Sequence, residues 1–209
     1  MRRPTPEKVA EAVRSGRLVL ASASPRRREI LERAGFRFRT AVPRFDEEAV
    51  LRRLDRRRGR GFPAALRAAL AELVGGKWRS LEHRQDEAVL CFDTVVHDGI
   101  RVWGKPADRA EAARFIRALA GREHAVTTGG LIGMGSWWRV RQWTTRVRFR
   151  KLRDADIARV LDSEPALDAA GAYKIQGFGL SYVESLRGDY HNVVGLPLPF
   201  LDWLRKGCP

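Results

Sequence analysis

The sequence predicts an α/β fold in which a mixed central sheet is flanked by helices. Short apolar runs typical of buried strands, Leu18–Ala21 and Ala88–Phe92, alternate with helical patterns, as in units that join parallel strands through a helix. Residues 124–132 and 138–149 are longer strand patterns on either side of the glycine-containing turn 133–136, which is typical of an antiparallel hairpin. A chain of 209 residues is long enough for one domain with a substantial core.

The first helices and strands are predicted from local signals at their ends. Residues 5–7, Thr-Pro-Glu, are typical of a capped helix start. After the first strand, Ser24 is the expected N-cap of a helix and Pro25 its first residue. Gly35 follows that helix as the C′ residue. Residues 36–42 alternate between apolar and polar side chains, as a half-exposed strand does.

The central part of the chain contains a charged stretch, a helix and a buried strand. Residues 52–61 are predicted to form a surface loop or helix end, and residues 64–74 a helix. Gly75 and Gly76 are expected to weaken that helix, since each glycine costs roughly 1 kcal/mol. The buried strand is expected to end near Asp93. The other predicted elements are a turn at 97–99 and helices over 107–120, 154–161 and 198–204.

Composition limits the class of protein. The formal net charge is +15, and 34 of the 40 basic residues are arginines spread along the chain. Scattered arginine is also typical of genome composition or thermal adaptation, so we expect nucleic-acid binding to be non-specific if it occurs at all. No apolar run reaches membrane-spanning length, and no membrane partner is expected. Cys91 and Cys208 are the only cysteines, so the sequence predicts neither a disulfide framework nor a zinc site. A cytoplasmic location is therefore expected.

The segment after the first strand has the features of an anion site. Arg26 and Arg27 lie in the first turn of the predicted helix, where the helix dipole already presents positive partial charge. The backbone N–H groups after Ser24 and two guanidinium groups together suit a phosphate. Each arginine lies four residues before Ile30 or Leu31, on the face that packs in the core. The alternative is a pair of solvated basic residues in an arginine-rich protein.

Two acidic positions are candidate metal ligands or catalytic groups. Glu47 lies in the acidic run 46–48 after a strand pattern, and carboxylates there suit a hard divalent cation that also binds substrate phosphates. The alternative is a solvated helix start, where acidic side chains are favoured. Asp93 follows five apolar residues, so we expect it to be partly buried and to need a metal ion, a lysine or a catalytic water as partner. Its alternative role is to cap the next turn.

Two further positions carry weaker signals. Lys105 is held between Gly104 and Pro106 and offers a fixed ammonium for phosphate, although the segment lacks the upstream glycine of a Walker loop. Residues 168–177 are rich in small side chains, which predicts tight turns and close approach of the backbone. Within that segment, the Gln176 amide offers both a donor and an acceptor to a base edge. The alternative is an ordinary loop glutamine.

Taken in order, these segments resemble the Maf family of nucleotide pyrophosphatases, which are also described as septum-formation-inhibitor-like. The resemblance runs from about Arg17 to Leu204. It rests on an ordered set of motifs, namely residues 20–27 (LASASPRR), Asp46-Glu47, Asp93-Thr94, Gly104-Lys105-Pro106, His124 with Val126 and Thr128-Gly129, Thr145 with Val147 and Phe149, residues 168–177 and residues 193–198.

The resemblance implies a fold, an activity and partners. It implies a two-lobed α/β structure with a cleft, like that of inosine-triphosphate pyrophosphatases, formed by a single domain over residues 1–209 with 1–16 as an N-terminal extension. The implied reaction is the hydrolysis of nucleoside triphosphates to the monophosphate and pyrophosphate, with removal of non-canonical nucleotides as one use. The implied cofactor is a divalent metal ion (Mg²⁺, Mn²⁺ or Co²⁺), and the implied assembly is a homodimer.

The resemblance also assigns roles to individual residues. Asp93 matches the family's proton acceptor, and Glu47 with Asp93 matches the acidic residues near the metal ion. Lys105 matches a basic residue beside the triphosphate, and with Asp93 and Glu47 it completes the expected catalytic set. The residues expected to bind substrate are Ser24, Arg26, Arg27, Lys77, Thr94 and Gln176.

The same resemblance suggests a substrate class. Arg26 and the triplet 175–177 resemble the branch that acts on dTTP and UTP. The branch that acts on 7-methyl-GTP usually has a bulky residue at the first of these positions and an acidic residue where this chain has Gln176. Two alternatives stay open. One is the same chemistry on 7-methyl-GTP or another modified nucleotide, and the other is an inactive protein that binds nucleic acid or regulates cell division.

Overall fold

The structure is a computed structural model that describes residues 4–57, 59–163 and 167–207. The helices are α1 (Pro6–Arg14), α2 (Pro25–Arg33), α3 (Glu47–Asp55), α4 (Phe62–Arg79), α5 (Arg109–Leu119), α6 (Asp154–Ser163), α7 (Tyr190–Val194) and α8 (Leu198–Arg205). The strands are β1 (Leu18–Ala21), β2 (Arg39–Ala41), β3 (Ala88–His97), β4 (Val102–Trp103), β5 (Glu123–Met134), β6 (Trp137–Phe149) and β7 (Val183–Arg187). Short 3₁₀ segments cover Gly59–Gly61, Ala170–Ala172 and Gly177–Tyr182.

All described strands belong to one mixed sheet, as the sequence predicts. Its order is β2-β1-β3-β5-β6-β7, and β4 pairs with β3 outside that path. The β1 strand runs parallel to both β2 and β3, whereas β5, β6 and β7 continue the sheet in antiparallel pairs. The hairpin predicted around residues 133–136 is present, with β5 and β6 as its two arms.

Local end signals place several elements correctly. Ser24 is the N-cap of α2, its hydroxyl accepts a hydrogen bond from the Arg27 backbone N–H, and Pro25 is the first helical residue. Gly35 follows α2 with φ +79°, as its predicted C′ role requires. The strand predicted over 36–42 is shorter, because only β2 within that segment pairs with β1. The charged stretch 52–61 begins within α3, and Arg58 lies outside the described residues, as does Cys208.

The predicted end of β3 is wrong. The sequence places Asp93 near the end of a short strand, but β3 continues through His97 and pairs with β5 along that whole length. The apolar run stops at Phe92 because the second half of β3 carries polar side chains whose partners come from other elements. The β1 strand ends at Ala21, opposite Cys91, so Asp93 lies just beyond the last residue that β1 pairs. A cleft opens at that point of the sheet.

The predicted end of α4 at residue 74 is also wrong. The helix continues through Gly75 and Gly76 to Arg79, and both glycines are buried. A Cβ at Gly76 would lie 2.3 Å from the ring of Phe45, so the glycine is needed for this contact. Packing against Phe45 therefore outweighs the low helix propensity and sets Lys77 on the buried face of α4.

The core lies between the sheet and its helices. The main cluster joins apolar residues of β1, β3, β5 and β6 to α5, α6 and α8, and a second cluster joins α3 to α4. Helix α1 begins at Pro6, as predicted, and its residues Val9, Ala12 and Val13 belong to the main cluster. The N-terminal segment is thus packed on the same core. Within the described ranges, no helix is both long enough and apolar enough to cross a membrane.

Candidate active site

One cavity of about 580 Å³ opens where β1 ends beside β3. Its walls come from the β1–α2 connection, the first turn of α2, the start of α3, α4, β3, α7 and the segment 168–176. All the residues that sequence analysis selected line this cavity: Ser24, Arg26, Arg27, Glu47, Lys77, Asp93, Thr94, Lys105 and Gln176. Residues separated by up to 152 positions in the chain are therefore brought to one site.

The N-terminus of α2 forms one wall of the cavity. The Ser22 hydroxyl accepts a hydrogen bond from the Ser24 N–H at 3.1 Å, which holds the turn that leads into the helix. No acidic residue lies in the first turn of α2. Arg26 is half-buried and makes no hydrogen bond or ion pair within the described part of the chain. A helix N-terminus with an unpaired guanidinium group beside it is suited to an anion.

Arg27 is held by the protein itself. Its Nε donates to the Gly195 carbonyl at 2.8 Å, Nη1 to the Phe92 carbonyl at 3.0 Å, and Nη2 to the Thr94 hydroxyl at 3.1 Å. A further contact from Nη1 to the Ser22 hydroxyl at 3.4 Å leaves one of the five guanidinium N–H groups for another acceptor. Burial lowers the pKa of Arg27, against the opposing effect of nearby carboxylates. Arg27 therefore fastens α2 to β3 and to the end of α7.

The floor of the cavity is a buried ion-pair cluster. Lys77 Nζ donates to Asp93 Oδ2 at 2.5 Å, to Glu47 Oε1 at 2.9 Å and to the Phe92 carbonyl at 3.0 Å. Lys77 and Asp93 are only 4% and 6% exposed. The other oxygen of Asp93 accepts the Thr94 N–H at 2.8 Å. Of the three partners that sequence analysis considered for Asp93, the structure places a lysine beside it.

Asp46 and Glu47 divide the acidic run between two tasks. Asp46 is the N-cap of α3, and its carboxylate accepts the Ala49 N–H at 3.1 Å. Glu47 is the first helical residue and turns toward Lys77. The acidic run therefore forms a helix start, which was the alternative interpretation of its sequence. It also supplies one carboxylate to the cavity.

The Thr94 hydroxyl belongs to a directed hydrogen-bond chain. The Thr128 hydroxyl lies 3.0 Å from the Asn192 carbonyl, which can only accept, so Thr128 donates. The Thr94 hydroxyl, 2.9 Å from Thr128, then donates to Thr128 and accepts from Arg27. The Thr94 side chain, which is expected to bind substrate, is thus fixed from both sides.

Lys105 and Gln176 lie on the walls of the cavity. Lys105 is exposed, and the Gly104 carbonyl before it accepts the Gly171 N–H at 3.0 Å, which ties the Lys105 loop to the segment 168–176. Gln176 is half-buried and precedes the 3₁₀ segment that starts at Gly177. Lys105 makes no hydrogen bond or ion pair with any residue that the structure describes. Two cations that form no ion pair with the described residues, Arg26 and Lys105, thus face the cavity.

The donor set fits a divalent cation that is shared with a substrate. Among the described residues, no three His, Cys, Asp or Glu side chains come together as a metal cage. The two carboxylates of Glu47 and Asp93 do converge, because both contact Lys77 Nζ. Mg²⁺-like ions typically use one or two carboxylates and take further oxygens from phosphates and water. Glu47 and Asp93 are therefore the residues that would hold such an ion.

The sequence is similar to those of known proteins. A family model described as Maf-like protein matches residues 17–206. The chain belongs to the Maf-like protein family. A dTTP/UTP pyrophosphatase of Thermococcus gammatolerans is 43% identical, over 90% of this chain and 95% of its own. Proteins with the same name from Symbiobacterium thermophilum and Gloeobacter violaceus are 42% and 40% identical, over 87% and 88% of this chain and 88% and 92% of their own.

The histidines of this Maf-like chain lie outside the cavity lining. His97 and His124 are buried, and burial lowers the pKa of each to about 4. His97 Nδ1 accepts the Gly99 N–H, so its ring is neutral, and Nε2 donates to the Thr127 hydroxyl at 2.9 Å. His124 Nε2 lies 2.9 Å from the Tyr173 hydroxyl. Both histidines therefore have structural roles within the sheet.

Ser22, Asp168 and Lys174 also line the cavity but are not among the residues selected from the sequence. Ser22 fixes the turn before α2, and Asp168 and Lys174 form an ion pair of 2.8 Å on the wall that carries Gln176. The signal for Lys174 was available, because polar Lys174 and Gln176 alternate with Tyr173 and Ile175 in the sequence.

Proposed function

We propose that this Maf-like protein hydrolyses nucleoside triphosphates, dTTP and UTP foremost, to the monophosphate and pyrophosphate. The observation that carries the proposal is the single cavity that joins an anion-binding helix N-terminus, two converging carboxylates and a glutamine amide. The names of the relatives from Thermococcus gammatolerans and Gloeobacter violaceus support the choice of dTTP and UTP.

The polyphosphate binds at the cations that form no ion pair among the described residues. The first turn of α2 presents backbone N–H groups, and Arg26 and Lys105 add charges that are unpaired within the described residues. Lys77 is less available to phosphate, because its three ammonium protons are already directed at Asp93, Glu47 and the Phe92 carbonyl. We therefore assign Lys77 to the placement of the carboxylates.

Asp93 accepts the proton of the attacking water. The water oxygen forms a bond to the α-phosphorus, the bond from that phosphorus to the bridging oxygen breaks, and pyrophosphate leaves. Lys77 and the Thr94 N–H hold one oxygen of Asp93 each, which fixes the carboxylate relative to the bound phosphates. Arg26 and Lys105 offset the charge that develops on the leaving pyrophosphate. A divalent ion held by Glu47 and Asp93 would supply Lewis-acid polarisation of the phosphate oxygens.

Gln176 recognises the base. Uracil and thymine present an N–H donor beside a carbonyl acceptor, and an amide offers the complementary pair. Gln176 is half-buried on the cavity wall, where such a contact is partly shielded from water.

We further infer that the protein works as a single domain over residues 1–209, as a cytoplasmic homodimer whose nucleic-acid binding is at most non-specific. The family resemblance supports the dimer, and packing of α1 on the main core supports a single domain. Light scattering coupled to size-exclusion chromatography measures the assembly directly. A monomer at micromolar concentration would contradict the proposed dimer.

A nucleotide panel tests the proposed activity. Pyrophosphate release is measured with dTTP, UTP, CTP, GTP, inosine triphosphate and 7-methyl-GTP, each with Mg²⁺, Mn²⁺ or Co²⁺ and with an EDTA control. We expect the highest kcat/KM for dTTP and UTP and no turnover in EDTA. Preference for 7-methyl-GTP would overturn the assignment of the base, and no turnover of any nucleotide would overturn the proposed reaction.

A further inference from the structure

Lys174 faces the cavity beside Gln176. In the segment 173–176, Tyr173 and Ile175 are buried, whereas Lys174 and Gln176 are half-buried and line the cavity. The backbone is extended at Tyr173 (φ −144°, ψ 152°) and at Gln176 (φ −78°, ψ 148°). The two buried side chains alternate with two that line the cavity, so Lys174 and Gln176 both face the cavity.

The backbone at Lys174 is fixed by close contacts. A Cβ at Gly179 would lie 1.8 Å from the Lys174 carbonyl oxygen, so the 3₁₀ segment folds directly onto that carbonyl and requires glycine there. On one side of Lys174, Tyr173 is anchored through its hydroxyl to His124. On the other side, Ile175 is 3% exposed in the main core. The Lys174 backbone is thus held rigidly by its neighbours, and does not belong to a mobile loop.

Asp168 neutralises and orients the Lys174 ammonium. The distance from Lys174 Nζ to Asp168 Oδ1 is 2.8 Å, and the lysine side chain is only 22% exposed. The hydrogen bond from Lys174 lowers the pKa of Asp168, so the carboxylate stays ionised at neutral pH. A cation beside a carboxylate is a poor phosphate ligand compared with Arg26 or Lys105. It still keeps two N–H donors for a neutral acceptor.

We propose that Lys174 is a specificity-determining residue that donates a hydrogen bond to the O4 carbonyl of uracil or thymine, and that Asp168 is the positioning residue that directs it there. The inference rests on the proposed function and on the assignment of the base to the Gln176 wall. An ammonium group only donates, so it matches the carbonyl oxygen of uracil and thymine. Cytosine has an amino group at the same ring position, which also donates, and is disfavoured.

The test compares UTP and dTTP with CTP in the Lys174→Met variant, which keeps the apolar stem and removes the donors. We expect kcat/KM for UTP and dTTP to fall about 10-fold or more, the usual effect of losing a charged hydrogen bond, while CTP changes less than about twofold. Where CTP turns over too slowly, its inhibition constant against UTP hydrolysis is measured instead. The control is Lys8→Met on the exposed face of α1, which is expected to change none of these values.

An equal loss for all three nucleotides would overturn the base contact and indicate a phosphate or structural role. An unchanged UTP-to-CTP ratio would overturn it as well. Absence of turnover in the unmodified protein would instead count against the proposed function, so the two failures are distinguishable.

Asp168 is tested separately, because its side chain is 62% exposed and its loss is not expected to affect folding. Asp168→Ala should raise KM for UTP with little change in kcat, and so lower the ratio of kcat/KM for UTP to kcat/KM for CTP. Asp168→Glu should retain most of that ratio. In the Lys174→Met background, Asp168→Ala should lower the ratio no further. A lower KM for every nucleotide in Asp168→Ala would show that the freed lysine binds phosphate, and would overturn the positioning role.

Discussion

Lys77 Nζ lies 2.5 Å from Asp93 Oδ2 and joins Asp93 to Glu47 in the buried floor of the cavity. The Arg27 guanidinium also interacts electrostatically with both carboxylates, so two cationic side chains lie beside two acidic ones. Lys77 thus holds the two carboxylates side by side, where they would share a divalent ion with bound phosphates.

Lys77→Met should destabilise the protein strongly. Removing the ammonium leaves the Asp93 carboxylate buried without its ion-pair partner, which typically costs about 3–5 kcal/mol. The free energy of unfolding in urea measures the effect, with Lys8→Met on exposed α1 as the matched control. A loss below about 1 kcal/mol would mean that Asp93 does not depend on Lys77.

Asp93→Asn should remove most turnover and leave the fold intact. The amide cannot take the proton of the attacking water, and loss of a general base typically lowers kcat by about 10²- to 10⁴-fold. Pyrophosphate release with dTTP gives the rate, and circular dichroism checks the fold. Asp162→Asn, in an exposed ion pair with Arg109, is the control. Near-normal rates in Asp93→Asn would refute the assigned role.

Gly76→Ala and Gly75→Ala should have opposite effects although the residues are neighbours in α4. A Cβ at Gly76 meets the Phe45 ring at 2.3 Å, whereas one at Gly75 meets only the flexible end of Arg79 at 3.2 Å. We expect Gly76→Ala to lower Tm and kcat, because displacing Phe45 moves Glu47, and Gly75→Ala to be neutral or stabilising by up to about 1 kcal/mol. Adding Phe45→Ala to Gly76→Ala should recover part of Tm. Equal Tm values for the two single variants would contradict this packing argument.

Arg27→Lys should lower activity strongly although the substitution keeps the positive charge. Lysine has no planar fork and cannot reach the carbonyls of Gly195 and Phe92 and the Thr94 hydroxyl together. With α2 released from β3, we expect kcat/KM to fall on the order of 100-fold. Arg28→Lys, one residue further along α2 in an exposed pair with Glu32, should keep full activity. Similar kinetics in both variants would show that Arg27 is not a positioning residue.

Buried His97 should make the fold sensitive to mild acid. Burial lowers the pKa of His97 from 6.5 to about 4, so the unfolded state binds the extra proton between these values. Stability present above pH 6.5 is therefore lost as the pH falls toward 4, by about 2 kcal/mol at pH 5 from this residue. The free energy of unfolding, measured in urea at pH 7 and pH 5, should fall less in His97→Gln than in the unmodified chain. Equal pH dependence in the two proteins would contradict the assignment.

Much of the fold was predictable because its signals are local. Ser24 and Gly35 mark the two ends of α2, and the turn at 133–136 marks the β5–β6 hairpin. The length of β3 was not predictable from hydropathy, because its polar residues Asp93 and Thr94 are hydrogen-bonded to Lys77 and Arg27 of distant helices. Local patterns carry no information about such partners.

In the candidate site, too, some features were predictable from local sequence and others depend on distant residues. The residue types and their order were enough to select side chains that the fold then gathers in one cavity. The division of tasks among the cations was not visible in the sequence. Arg26 and Arg27 are adjacent and chemically identical, yet Arg26 lines the cavity without a hydrogen bond to the described residues, and Arg27 is held by Gly195, 168 residues away.

Strand β6 extends well beyond β7, which pairs only with its last residues from Arg146 onward. Residues 137–143 pair with β5 on one side, and no described strand covers their other edge. Such an edge is a template for aggregation, and charged side chains along it oppose strand addition. Arg139 and Arg141 are both exposed there, so two copies that met edge to edge would bring like charges together. Part of the arginine excess thus opposes edge-to-edge association of two copies of the protein.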